Sequence, residues 1–153
     1  MTAPLHLALY QPEIPDNTAA LLRLSACLNI HLHLIEPLGF ALNSQRMRRI
    51  TLDYAAQVQV TRHASFNLFH NALGGARLVL ATTKAENPYW SHDWQASDVL
   101  LMGQESAGVP HAVHEVAACR LTIPMAPPAR SLNLASAATL ICGDWHRQRN
   151  LAL

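Results

Sequence analysis

The chain has 153 residues, of which 50% are hydrophobic and 14% charged, with a net charge of +1. These totals exclude a polycation and suit one domain spanning residues 1–153 with a sizeable core. The charged fraction lies below the roughly 25% usual for soluble domains, so an apolar patch closed by self-association is expected. No apolar run reaches the length of about 18 residues that a membrane span requires, and no basic stretch leads into an apolar segment at the N-terminus. A cytoplasmic protein with no membrane association is therefore expected. Cys27, Cys119 and Cys142 are odd in number and far apart, which suits reduced, buried thiols and not a disulfide framework or zinc site.

Leu5, Leu7 and Leu9 alternate along Leu5–Tyr10 and predict a strand. A proline-bearing loop, Gln11–Asp16, leads to Asn17 as the expected cap of a helix through Leu28, with Ala20, Leu21, Leu24 and Leu28 on its apolar face. Ile30–Ile35 reads as a second strand, Asn43–Ile50 as a short basic helix, Val58–Val60 as a brief strand and Ser65–Leu73 as a helix stopped by Gly74-Gly75. Arg77–Thr82 and Asp98–Met102 are apolar runs of the buried-strand type. His111–Ala118 is expected to be helical and Arg120–Ile123 extended. Pro124, Pro127 and Pro128 stiffen the following loop. Ser131 is the expected cap of a last helix, Leu132–Arg149, with Leu134, Ala138, Ile141 and Trp145 on one face. Strands alternating with helices predict an α/β fold, a mostly parallel sheet flanked by helices.

Ligands of such sheets gather at the carboxyl ends of the strands, which directs attention to Gln11–Thr18, Gly103–Pro110 and Pro124–Arg130. The middle loop places Gly103 and Gly108 five apart around Glu105, a group able to accept hydrogen bonds; it is neither a P-loop nor a dinucleotide fingerprint. By itself it is best read as a tight turn. Charge is uneven: residues 1–36 sum to −2, whereas residues 43–63, with Arg46, Arg48, Arg49 and Arg62 against Asp53, sum to +3. A solvated helix face explains that segment, and so does a surface that meets phosphates. Of the nine histidines, His31 and His33 share a strand face without a third ligand at useful spacing, so no metal site is expected.

Three motifs in order carry more. Asn17-Thr18 followed by Arg23, then Gly103-x-Glu105-x-x-Gly108-Val-Pro, then Ile123-Pro-Met followed by Ser131-Leu-Asn-Leu-Ala, resemble the signature motifs of SPOUT-class 2′-O RNA methyltransferases. Leu9–Thr18, Ile35–Phe40, Arg46–Arg49, Leu52–Tyr54 and Thr82–Lys84 are similar to the small TrmL/YibK-like branch, and the resemblance spans roughly Leu5 to Arg149. It implies a deep C-terminal trefoil knot, a homodimer, and an S-adenosylmethionine site at Ala81, Gly103, Ile123 and Ser131. It implies a substrate-activating Arg23, with Asn17, Glu105 and Asn133 beside it, and a tRNA anticodon loop methylated on the wobble ribose. Arg46, Arg48, Arg49 and Arg130 are the expected phosphate contacts. Methyl transfer from a sulfonium to an oxygen requires no metal, and an arginine can stabilise the negative charge that develops on that oxygen. The proton acceptor stays open. So do two alternatives: another tRNA position or ribosomal RNA as target, and an RNA-binding knot protein without turnover. Three positions depart from the family pattern: Ala19, Ala107 and Gly143.

Overall fold

The computed structural model describes residues 3–150. Its strands are β1 His6–Tyr10, β2 His31–Ile35, β3 Val60–His63, β4 Arg77–Ala81, β5 Asp98–Met102 and β6 Cys119–Leu121. All pair in parallel, in the order β3-β2-β1-β5-β4-β6. The helices are α1 Pro15–Leu28, α2 Gln45–Thr51, α3 Phe66–Ala72, α4 His111–Val116 and α5 Leu134–Asn150.

The sheet is covered on both faces, which is why its central strands read as apolar runs. Because side chains alternate along a strand, Leu7, Leu9, Leu34, Leu100 and Met102 pack with Leu21 and Leu22 of α1 and Ala138, Ile141 and Trp145 of α5. Their neighbours Ala8, Ile35, Leu78, Leu80 and Leu101 pack on the other side with Phe69 of α3 and Val113 of α4. The apolar stripe expected on the last helix is therefore a core stripe. No described helix is long and apolar enough to cross a membrane.

Several local expectations shift. The first helix starts at Pro15, not Asn17: proline at the first helical position leaves no orphan N–H there, and no side chain caps the turn. Asn17 lies inside the helix and is buried, as is Leu22, whereas Ala20 is exposed. α5 starts at Leu134, and the Asn133 side-chain oxygen, not the Ser131 hydroxyl, accepts the first-turn N–H of Ser136 at 3.2 Å. Ser44 and Ser65 do cap α2 and α3, accepting from the N–H groups of Met47 and Leu68. β3 begins at Val60, where the expected strand ended, and β6 is shorter than expected because Thr122 already bridges to Pro88. The three cysteines are free, but only Cys142 is buried, which pushes its thiol up to about 12; Cys27 is exposed. The parallel register of β1 and β2 sets His6 beside His31, so His31 and His33 do have a third imidazole next to them.

One buried charge anchors the amino end of β5. Asp98, with no exposed side-chain surface, receives Arg77 through both oxygens at 2.6 and 2.7 Å, the Gln95 N–H at 3.0 Å and lies 3.0 Å from His92 Nε2. Burial pushes its carboxyl pKa up, but the Arg77, Gln95 and His92 contacts outweigh this and hold it below the usual range. Asp98→Asn should cost about 3 kcal/mol, since it leaves Arg77 partly buried without its counter-charge. Melting should fall by roughly 6–12 °C at neutral pH. A lowered carboxyl pKa stabilises the folded state fully above the ordinary value near 3.9, and that stability is lost as pH falls through the folded value. The gap between wild type and variant in thermal melts should accordingly close in strong acid.

Candidate active site

The carboxyl ends of β4, β5 and β6, with Ile14 and Asn17 from the segment that follows β1, open onto one cavity of about 560 Å³, within the usual range for small-molecule sites. Ala81, Gly103, Ile123 and Ser131, expected from the sequence to hold a cofactor, all line it. So do Asn17, Glu105, Asn133 and Arg130.

The β1 and β5 loops are clasped reciprocally. The Glu105 carboxylate accepts the N–H groups of Glu13 at 2.9 Å and Ile14 at 3.2 Å, and the Asn17 amide at 3.4 Å. Glu13 in turn accepts the Ser106 N–H at 3.0 Å and hydroxyl at 2.7 Å, which hold its carboxyl below the usual range. Asn133 donates to Asn17 at 2.8 Å, tying the start of α5 to α1 across 116 residues. Asn17, Glu105 and Asn133 are thus one connected network, in which Glu105 is occupied by loop N–H groups. Gly103 makes the turn possible. A β-carbon there would lie 2.7 Å from the Gly108 backbone, while Gly108 itself takes φ +64° and pairs with Gln104.

The expected basic residues divide. Arg130 lies at the cavity. Arg46 is paired with Asp16 at 2.7 Å on an exposed surface, and Arg48 and Arg49 are exposed on α2. Arg23 does not line the cavity: residues 17 and 23 lie about 120° apart around an α-helix. It is exposed, with its guanidinium 4.8 Å from the centroid of the Tyr54 ring.

The sequence profile described as the SpoU rRNA Methylase family matches residues 4–143. The chain belongs to the SpoU methylase family. Among SpoU-type relatives, a tRNA (cytidine(34)-2′-O)-methyltransferase of Beijerinckia indica is 49% identical over 144 residues, covering 93% of this chain and 90% of the relative. The protein of the same name from Escherichia coli K12 is 38% identical over 146 residues, covering 94% and 93%. A structure solved for insights into the 2-OH methylation of C/U34 on tRNA matches with a TM-score of 0.92 at 42% identity, covering 96% of this chain and 97% of that one. The SpoU methyltransferase AviRb of Streptomyces viridochromogenes, solved in complex with AdoMet, shares the fold: its TM-score is 0.87 at 24% identity, covering 97% of this chain and 59% of that one.

In this SpoU methylase chain, sequence reasoning missed two features. Lys84 and Met125, from the Thr82–Lys84 and Ile123-Pro-Met segments, also line the cavity. Tyr54 lies under Arg23, and no local signal in the sequence pairs residues 23 and 54.

Proposed function

We propose that this chain is a tRNA 2′-O-methyltransferase. It moves the methyl group of S-adenosylmethionine to the ribose of the wobble nucleotide, position 34, a cytidine or carboxymethylaminomethyluridine. It acts as a cytoplasmic homodimer, and residues 1–153 form one SPOUT domain with a C-terminal trefoil knot. The observation that carries this reading is the convergence of all three motif loops on one cavity, in a chain 49% and 38% identical to two tRNA (cytidine(34)-2′-O)-methyltransferases.

The cavity fits the cofactor. Its walls combine apolar side chains such as Leu80, Ile123 and Leu134 with loop backbone that Gly103 leaves accessible. Bound there, the cofactor supplies an electrophilic methyl group for in-line attack by an oxygen. Ala81, Gly103, Ile123 and Ser131 hold it, chiefly through backbone groups. The Asn17–Glu105–Asn133 network keeps the three loops in register. Support for the knot comes from the loops: Asn87 and Tyr89 exchange backbone hydrogen bonds with Thr122 at 2.8 Å, and the chain then returns to lay α5 on α1.

Arg23 stabilises the negative charge that develops on the attacking oxygen. Since it does not line its own chain's cavity, the homodimer supplies it from the partner. The exposed surface around α1 and α5 carries Ile14, Leu132 and Leu140, all more than 40% exposed, the first two also at the cavity, and the departure at Gly143 adds no bulk there. That surface is the self-association patch expected from the low charged fraction. Arg46, Arg48, Arg49 and Arg130 grip phosphates of the anticodon stem-loop, whose unstacked bases are read against side chains.

The test offers the purified protein, with labelled cofactor, two matched tRNAs that differ only in a wobble 2′-hydroxyl or 2′-deoxy sugar. Methyl incorporation is expected into the first alone. Equal incorporation into both moves the target to another position.

A further inference from the structure

Four histidines meet on the sheet face that α3 covers, away from the cofactor cavity. His6 and His31 stand in register at the first positions of β1 and β2, and His33 follows one side-chain repeat along β2. His6 Nδ1 lies 2.9 Å from His33 Nε2, and His33 Nδ1 lies 3.0 Å from His63 Nε2 on β3. The rings of His31 and His33 stack with centroids 4.2 Å apart, and Thr61 Oγ1 holds His31 Nε2 at 2.8 Å. Phe69 closes the inner side, edge-on to His33 and His63. His33 is buried, whereas His6 and His31 are half-buried and face solvent at the strand starts.

One ring nitrogen from each of His6, His31 and His33 lies within 4.8 Å of the other two. Burial lowers the pKa of all three, and neighbouring imidazoles add to it at His31 and at His33, which falls to about 3; the neutral imidazole is the form that binds metals. His63 does what an outer partner of a metal-bound histidine does: it engages the far ring nitrogen and fixes the orientation of His33.

We propose that His6, His31 and His33 form a three-histidine site for a borderline divalent transition-metal ion such as Zn²⁺, with His63 as the positioning residue for His33. An all-imidazole set suits Zn²⁺, Ni²⁺ or Cu²⁺ and discriminates against the hard cations Mg²⁺ and Ca²⁺, which take oxygen ligands. Two nitrogens bound at 2.0–2.1 Å around a tetrahedral ion stand about 3.3 Å apart. Seating the ion therefore requires His6 to give up its hydrogen bond to His33, and the stacked rings of His31 and His33 to turn until nitrogens now within 4.8 Å of one another reach that spacing. The site lies at the amino ends of β1 and β2, whereas the cofactor cavity lies at the carboxyl ends. Its role is a clamp between β1 and β2, and methyl transfer does not depend on it.

The test uses untagged full-length protein stripped with a chelator and titrated with Zn²⁺ by calorimetry, alongside thermal melts with Zn²⁺ or Mg²⁺. Wild type should take up one Zn²⁺ per chain and melt higher with Zn²⁺ but not with Mg²⁺. His6→Gln/His31→Gln should lose both responses while keeping the melting temperature of the metal-free wild type. His63→Gln should weaken binding about 10- to 100-fold, and it decides the matter should the double variant fail to fold. His111→Gln removes an exposed surface histidine paired with Glu115 and should change nothing. No saturable uptake by wild type, an equal response to Mg²⁺, or unaltered affinity in the histidine-cluster variants overturns the proposal.

Discussion

Gly103→Ala should weaken S-adenosylmethionine binding at least about fivefold, because even one methyl group placed 2.7 Å from the Gly108 backbone forces the loop open. Overpacking a well-fitted site costs about 1–3 kcal/mol, which is roughly 5- to 150-fold in affinity. From the sequence, a side chain at this position would be expected to block the ligand directly. The structure moves the collision to the loop's own backbone, so alanine is as informative as valine. Calorimetric titration measures the effect, with circular dichroism to check that the sheet is intact. Unchanged affinity would separate this cavity from the cofactor.

Arg23→Ala should leave cofactor affinity intact and lower single-turnover methylation by about 10²–10³-fold, the range for removing one group that stabilises developing negative charge. Loss of the ring beneath it, in Tyr54→Leu, removes a cation–π contact worth about 0.5–1 kcal/mol at an exposed site, so a drop of only a few-fold is expected. Mixing Arg23→Ala with Gly103→Ala tests whether the arginine comes from the partner. At a cofactor concentration too low to load Gly103→Ala, each variant by itself is nearly inactive, but a mixed dimer joins the intact cavity of one chain to the intact Arg23 of the other. Random pairing should restore about a quarter of wild-type activity, from half the dimers with one working site each. No recovery in dimers shown to exchange would exclude supply of Arg23 by the partner, and unchanged single-turnover methylation in Arg23→Ala alone would place the residue outside the mechanism.

Period-two runs such as Leu5–Leu9 and the apolar blocks before Thr82 and Gly103 marked four strands almost to the residue, because alternation and burial act on neighbours in the chain. The same locality misled the helix caps. An asparagine before an apolar stripe reads as a cap, yet Asn17 lies inside α1 because its amide serves Glu105 and Asn133. Asn133 takes the cap position that Ser131 was expected to fill. Loops rich in glycine and proline at strand ends pointed to the cavity, and eight of the expected site residues do line it.

What the sequence by itself determined was therefore the alternation of elements, the three loops and the residue types within them, all properties of short windows. Tertiary structure alone decided the partners. Parallel pairing of β1 with β2 brought His6 to His31, although 25 residues part them along the chain. The turn of α1 carried Arg23 away from Asn17 and over Tyr54. The return of α5 closed Asn133 onto Asn17. Register, helix phase and chain return depend on which distant surfaces bury one another, and periodicity within one segment carries no information about that.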